Sequence, residues 1–146
     1  MEVKTIGVVG AGNMGRQIAL ACAISGFKVY CTDSVAPVLK SAGDFTEKWL
    51  NDRVAKRKLQ ESEAKEIQSR LCFTDDLKVA AGGADLIIEA IIEILEAKRT
   101  LFKELDKICL PHTILATNSS YIVSSKIADA TKRPDKVLNM HFFNPA

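Results

Sequence analysis

Short runs that are apolar at nearly every position recur along this chain between amphipathic stretches, and few folds accept that pattern. Lys4 to Val9, Lys28 to Thr32, Leu71 to Thr74, Asp85 to Ala90, Thr113 to Thr117 and Val137 to Phe142 read as strands. Strands that are apolar on both faces belong in a parallel sheet, whose neighbours must be joined by crossovers. Helices expected at Arg16 to Ser25, Ile94 to Cys109 and Val123 to Ala130 supply them, with Leu101, Phe102, Leu105 and Ile108 sharing one face of the second. Gly26 stands where the first helix needs a left-handed residue to end, and Pro111 breaks the second. The expectation is an α/β fold with a doubly wound parallel sheet. After the second strand, Val35 to Arg70 is helical and heavily charged, and no Gly or Pro interrupts Asp44 to Arg70. That predicts a helical-pair insertion over about 38–70: two long helices joined by a tight turn near Leu59 to Ser62.

Composition narrows the function classes. A chain of 146 residues is one domain's worth, so 1–146 is expected to be a single domain. With 47% hydrophobic and 26% charged residues it has the makings of a packed core rather than of disorder. A formal net charge of +2 projects no field toward nucleic acid or an anionic membrane. No apolar run approaches the roughly 20 residues that cross a bilayer, and the N-terminus does not read as a signal peptide. Cys22, Cys31, Cys72 and Cys109 are scattered, without the spacing of a zinc site or a disulfide framework, and read as reduced thiols of a cytoplasmic protein.

The first strand runs into Gly10-Ala-Gly12-Asn13-Met14-Gly15 and then a helix. In that setting the first glycine permits the tight turn and the second lets backbone approach a pyrophosphate. The third lets the helix pack against the sheet with its free N–H groups facing the phosphates. An acid is then required at the end of the second strand, and Asp33 stands there, 18 residues after Gly15. A carboxylate accepts both ribose hydroxyls of NAD but repels a 2′-phosphate by ~4 kcal/mol at an effective dielectric of 20. The cofactor expected is NAD, on a Rossmann-type sheet. The plainer reading, that the glycines make turns and Asp33 caps a helix, must be set against four requirements met in order.

Two further groups stand at carboxyl ends of strands, where ligands of open α/β sheets lie. Thr117-Asn118-Ser119-Ser120 follows one strand. His141 sits at the end of the last, inside Asn139-Met-His-Phe-Phe-Asn144-Pro145-Ala146. An imidazole there can take a proton from an alcohol as hydride leaves its carbon. Pro145 holds Asn144 extended, outside any helix. A His between apolar residues is, taken alone, more often a core or capping residue than a base.

Read together, Gly10 to Gly15, Ala84-Asp-Leu-Ile-Ile-Glu-Ala-Ile-Ile-Glu93, Thr117 to Ser120 and His141-Phe-Phe-Asn-Pro resemble the NAD-binding domain of the 3-hydroxyacyl-CoA dehydrogenases, over essentially the whole chain. That family interconverts L-3-hydroxyacyl-CoA and 3-oxoacyl-CoA with NAD, in fatty acid metabolism and β-oxidation. The resemblance implies that His141 is the catalytic base and that Ser120 bonds the substrate's 3-oxygen beside the nicotinamide. It implies that Asn118, Asn144, Glu93 and Lys98 contact the cofactor, with Asn13 and Met14 in the phosphate loop, and that Asp33 holds the adenosine ribose. Acyl-CoA would run along the helical insertion, with Lys56 a contact. This sequence departs from the family's pattern at Tyr121, Ile94 and Trp49.

The family continues past Asn-Pro with a helical C-terminal domain, absent here, that carries the Glu paired with the catalytic His and the contacts of a homodimer. The resemblance therefore implies an excised first domain that binds NAD and turns over little. Two other readings stay open: a dehydrogenase of a small 3-hydroxy acid without CoA, and a non-catalytic dinucleotide-binding module. Arg53, Lys56, Arg57 and Lys58 form a basic run that reads either as a solvated helix face, offset by Glu61, Glu63 and Glu66, or as a landing site for CoA phosphates. His112 reads as a surface residue, Cys31 as a buried thiol, and Trp49 as a plug between the insertion and the body.

Overall fold

Along β1 (Thr5–Val9), Val8 and Val9 point to opposite sides, and each finds its own core. The same alternation holds for Ile87 and Ile88 of β4 (Leu86–Glu89) and for Leu115 and Ala116 of β5 (Ile114–Thr117). A sheet apolar on both faces needs helices on both. In the computed structural model, which describes residues 2–146, it has them. Val8, Ile88 and Ala116 pack with residues of α1 (Asn13–Ile24), α2 (Ala36–Ala55) and α3 (Glu61–Arg70). Val9, Ile87 and Leu115 pack under α4 (Leu77–Ala81), α5 (Leu95–Ile108) and α6 (Ser125–Ala128).

With β2 (Lys28–Thr32), β3 (Leu71–Thr74) and β6 (Val137–Asn139) the sheet has six strands in the order β3-β2-β1-β4-β5-β6, every pair parallel. The strand order reverses between β1 and β4, which opens a crevice at the carboxyl edge there. The register aligns that edge: Thr74, Thr32, Val9, Glu89, Thr117 and Asn139 form one row across the six strands. The loops carrying Gly10, Asp33, Glu93, Asn118, Ser120 and His141 leave the sheet from this row. The opposite edge is stapled by Asp85, whose Oδ2 accepts the N–H groups of Lys4 and Thr5 at 2.9 Å and whose Oδ1 lies 2.9 Å from His112 Nε2. These bonds hold the Asp85 carboxyl down at about 2. His112, expected as a plain surface residue, is half-exposed and takes part in that staple.

The helical pair is present, with a different shape from the one expected. α3 is only ten residues long, and the chain reverses at Lys56 to Gln60, ahead of Leu59 to Ser62. The reason is local. Arg57 takes the left-handed conformation (φ 54°), so Lys58 N–H reaches Arg53 O and Arg57 N–H reaches Val54 O, both at 2.9 Å. This closure satisfies the last carbonyls of α2, and glycine normally provides it. Gln60 N–H then donates to Glu63 Oε2 at 2.8 Å and starts α3.

Two other elements are shorter than their patterns suggest. The helix expected over Val123 to Ala130 is a single turn, and the last strand stops at Asn139. Met140 N–H still bonds Thr117 O, but beyond it Asn118 replaces the strand ladder as the partner of His141 and Phe142. α4 was not anticipated; Asp76 caps it by accepting Lys78 N–H at 2.8 Å. Gly26 does close α1 in a left-handed conformation (φ 97°). Trp49 is half-buried, with the Arg53 guanidinium 4.7 Å from its ring centre, so it borders the core rather than filling it.

Candidate active site

The loop between β1 and α1 is built on contacts that only glycine permits. Gly10 has φ 101°, and a Cβ there would meet Ala90 O at 2.5 Å. A Cβ on Gly15 would lie 1.7 Å from Gly10 O, so the helix packs directly on the loop that precedes it. Gly12 is different: nothing lies within 4 Å of where its Cβ would be. Close packing behind and open space in front is the geometry a pyrophosphate requires, at the uncapped N-terminus of α1 with no acid in its first turn. Asn13 and Met14 open that helix; Asn13 Oδ1 accepts from Gln17 Nε2 at 3.2 Å, and Met14 lies on a cavity wall.

Asp33 leaves the end of β2. Its Oδ2 accepts Ala11 N–H and its Oδ1 accepts Val35 N–H, both at 2.8 Å. The carboxylate thus ties the glycine loop to the start of α2, and its remaining lone pairs face a cleft of about 270 Å³ lined also by Gly10, Thr32 and Ile91. Both plain capping and ribose binding are open to one carboxylate. Burial, followed by the charge of Asp33, pushes the neighbouring Cys31 thiol up to about 12, so this cysteine is inert.

A second cavity, of about 350 Å³, lies on the other side of Ile91, which lines both. Ser120, Glu93, Asn118, His141 and Asn144 line it. The run after β5 divides its work by residue. Asn118 O lies 2.9 Å from His141 Nδ1, and Asn118 Oδ1 accepts Phe142 N–H at 2.7 Å. Ser119 is buried and donates to Glu93 Oε2, and Ser120 is left exposed to the cavity. A carbonyl oxygen only accepts, so Nδ1 of His141 carries the proton and the lone pair of the neutral imidazole is on Nε2. The ring is exposed and packs edge-on against Phe143, with ring centres 4.9 Å apart. Asn144 Oδ1 accepts from Gln17 Nε2 at 3.2 Å and so joins the last loop to α1.

Lys98 is placed elsewhere than on the cavity wall. It is completely buried, with Nζ 2.6 Å from Glu89 Oε1 and 3.0 Å from Glu93 Oε1. Partial burial works against the charge of Glu93. Hydrogen bonds from Ser119 and Lys98, and the charges of Lys98 and His141, outweigh it and hold the carboxyl below its ordinary value. Glu89 was missed at the sequence level, although an acid closing an apolar strand and a lysine one turn from Phe102 on the apolar face of α5 were both visible there. Lys56 is exposed at the far end of α2, about 30 Å of helix from Asp33, and lines neither cavity. The acids near the basic run are engaged elsewhere: Glu61 with Lys65, Glu66 with Arg70 and Glu63 with the Gln60 backbone.

Residues 5–146 match the family model described as 3-hydroxyacyl-CoA dehydrogenase, NAD binding domain. The chain belongs to this family. It is 44% identical over 146 residues to a probable 3-hydroxybutyryl-CoA dehydrogenase of Bacillus subtilis, covering 99% of this chain and 50% of that protein. It is 40% identical to the 3-hydroxyadipyl-CoA dehydrogenase of Escherichia coli, covering 100% of this chain and 30% of that protein. A crystal structure of 3-hydroxybutyryl-CoA dehydrogenase from Escherichia coli superposes with a TM-score of 0.95 at 40% identity, over 100% of this chain and 31% of that one. The chain thus spans half or less of the length of these relatives. As an NAD-binding domain its cofactor is NAD, and the open glycine cradle with Asp33 beside it fits that group. No helix among the described residues is long and apolar enough to cross a membrane, and no cluster of metal-ligating side chains occurs among them.

Proposed function

We propose that this chain, residues 1–146 with its helical insertion over about 38–70, is the NAD-binding part of a dehydrogenase that interconverts L-3-hydroxyacyl-CoA and 3-oxoacyl-CoA. The observation that carries the reading is the hydrogen bond from His141 Nδ1–H to Asn118 O, which leaves the Nε2 lone pair free beside Ser120 at the carboxyl edge. In the oxidation direction, Nε2 takes the proton of the substrate's 3-hydroxyl while the hydride leaves C3, and the Ser120 hydroxyl donates to the oxygen that becomes the carbonyl. NAD, when bound, supplies the hydride acceptor. Asp33 accepts the adenosine ribose hydroxyls, Gly10, Gly12, Asn13, Met14 and Gly15 cradle the pyrophosphate, and Asn118, Ser120, Glu93 and Asn144 surround the nicotinamide end, with Lys98 acting through Glu93. The basic run Arg53, Lys56, Arg57 and Lys58 receives the phosphates of CoA. Relatives named for acyl-CoA substrates support this substrate class and fit β-oxidation as its setting; the cytoplasmic location rests on the four scattered cysteines, which are free thiols. A homodimer assembled through parts of the relatives beyond the matched length completes the reading.

Among the described residues His141 hydrogen-bonds the neutral carbonyl of Asn118, which stabilises an imidazolium less than a hydrogen-bonded carboxylate does. The 146-residue chain is therefore expected to bind cofactor and turn over slowly. The test is NADH oxidation with acetoacetyl-CoA or acetoacetate, in the wild type and in His141→Gln. NADH fluorescence should report binding in both proteins. Whatever turnover occurs should fall by roughly 10²–10⁴ in the variant and should require the CoA thioester. Failure to bind NADH, or equal rates in the two proteins, would overturn the assignment; equal use of acetoacetate would remove CoA from it.

A further inference from the structure

Behind the His141 cavity five residues close a ring, four links made by side chains and one by the Ser119 backbone N–H. Lys98 Nζ bridges Glu89 Oε1 (2.6 Å) and Glu93 Oε1 (3.0 Å). Ser119 donates to Glu93 Oε2, and its N–H donates to Thr117 Oγ1 at 3.2 Å. Thr117 Oγ1 in turn donates to Glu89 Oε2 at 2.7 Å. Glu89 Oε1 also accepts Ile91 N–H at 2.7 Å. The ring ties the loop after β4 to the loop after β5, two of the loops that line the cavity.

Its charges do not balance. Two carboxylates share one ammonium, and Glu89 and Lys98 are both wholly buried. A buried ion costs several kcal/mol unless it is paired, so Glu89 and Lys98 neutralise each other. The surplus negative charge then falls on Glu93, whose side chain is 45% exposed and lines the cavity. Apart from His141, Glu93 is the only titratable side chain on that wall among the described residues.

We propose that the Glu89–Lys98 pair is a positioning device that holds Glu93 as a fixed negative charge at the nicotinamide end of the site, so that the site prefers the oxidised, positively charged nicotinamide over the neutral reduced one. This rests on the reading of the cavity as the nicotinamide site. The groups that face Glu93 are Lys98 from α5, with Glu89 of β4 behind it, Ser119 from the loop after β5, and His141 from the loop after β6. The sign of the pH effect follows. Glu93's carboxyl titrates below its ordinary value, so the preference is present at neutral pH and is lost as pH falls through that lowered range.

The experiment measures dissociation constants of NAD⁺ and NADH for the 146-residue chain, by calorimetry and NADH fluorescence, in the absence of substrate. Glu93→Gln is expected to weaken NAD⁺ about tenfold while leaving NADH within about twofold. The double variant Glu89→Gln/Lys98→Met avoids leaving a lone buried charge, and circular dichroism checks its fold. It keeps the Glu93 carboxyl but removes its tether, so the loss of NAD⁺ preference on acidification should move to higher pH. A wild type that binds neither nucleotide removes the cofactor reading and this inference with it. A wild type that binds both, with the affinity ratio unchanged in Glu93→Gln, overturns this inference alone. An unmoved pH profile in the double variant would show that the pair serves only packing.

Discussion

Three glycines in one loop separate two physical demands that usually come mixed. A methyl on Gly15 collides with Gly10 O, whereas a methyl on Gly12 meets nothing. Gly15→Ala is therefore expected to lower both thermal stability and NADH affinity, because loop and helix must separate. Gly12→Ala should cost about 1 kcal/mol of stability or less, the difference between two residues at a helix N-cap. It should nevertheless weaken NADH at least about tenfold, since the added methyl occupies the space left for the pyrophosphate. Thermal melts paired with fluorescence titrations check both, and an unimpaired Gly12→Ala would mean the phosphates lie elsewhere. At this scale the glycines and Asp33 were readable one by one, because each is a residue type demanded by a local backbone or by a single ligand group, whereas Glu93, Lys98, Asn118, Ser120 and Asn144 were named through the family resemblance. The place of Lys98 on the apolar face of α5 hinted at its burial, but its partners Glu89 and Glu93 come from a strand end and a loop, so the pairing itself is not legible along the chain.

The insertion shows where patterns along one element lose their grip. The charged run Asp44 to Arg70 has no Gly or Pro, so no residue type marks its break. The break is made by Arg57 in a conformation costing roughly 1–2 kcal/mol for an L-residue. Arg57→Gly is expected to stabilise the fold by up to about 1 kcal/mol, read from urea unfolding, and a loss of stability would mean the Arg57 side chain contributes contacts that outweigh the relief. On the other face of the sheet the helical period identified α5 correctly. Phe102 there is completely buried with Leu105, and Phe102→Ala should cost about 3–5 kcal/mol in the same assay. The last strand illustrates the reverse case. Val137 to Phe142 reads as one strand, but the partner strand ends at Thr117, so Asn118 takes over and bends His141 toward the cavity.

For the whole molecule, burial sorts the four cysteines. Cys22, Cys31 and Cys109 are buried, and desolvation first of all lifts their thiols to about 11, about 12 and about 11. Cys72 is exposed on the edge strand β3. A thiol reagent at neutral pH should label Cys72 alone in the native protein and all four after denaturation; rapid labelling of Cys31 would contradict the packing. The amino edge of the sheet gives a pH prediction. Asp85's folded value is depressed to about 2, so its contribution is complete above the ordinary carboxylate range and is lost as pH falls to about 2. Asp85→Asn should lower the melting temperature at pH 6, with the difference from wild type closing at about pH 2. A difference that persists there would assign the staple to shape rather than charge.

Residue order alone determined the parallel sheet, the glycine cradle and the acid at the end of β2. Each follows from sterics and burial within a few residues, or from a period that one element must satisfy. Only the tertiary structure decided that Lys98 lies behind Glu93, that His141 shows Nε2 to the cavity, and that Asp85 joins three strands with His112. Those outcomes depend on which strands become neighbours: Glu89 meets Thr117, and Asn118 meets His141, only because β4, β5 and β6 lie side by side in register. Pairing free energy and desolvation are properties of that arrangement, and no window along the chain contains them.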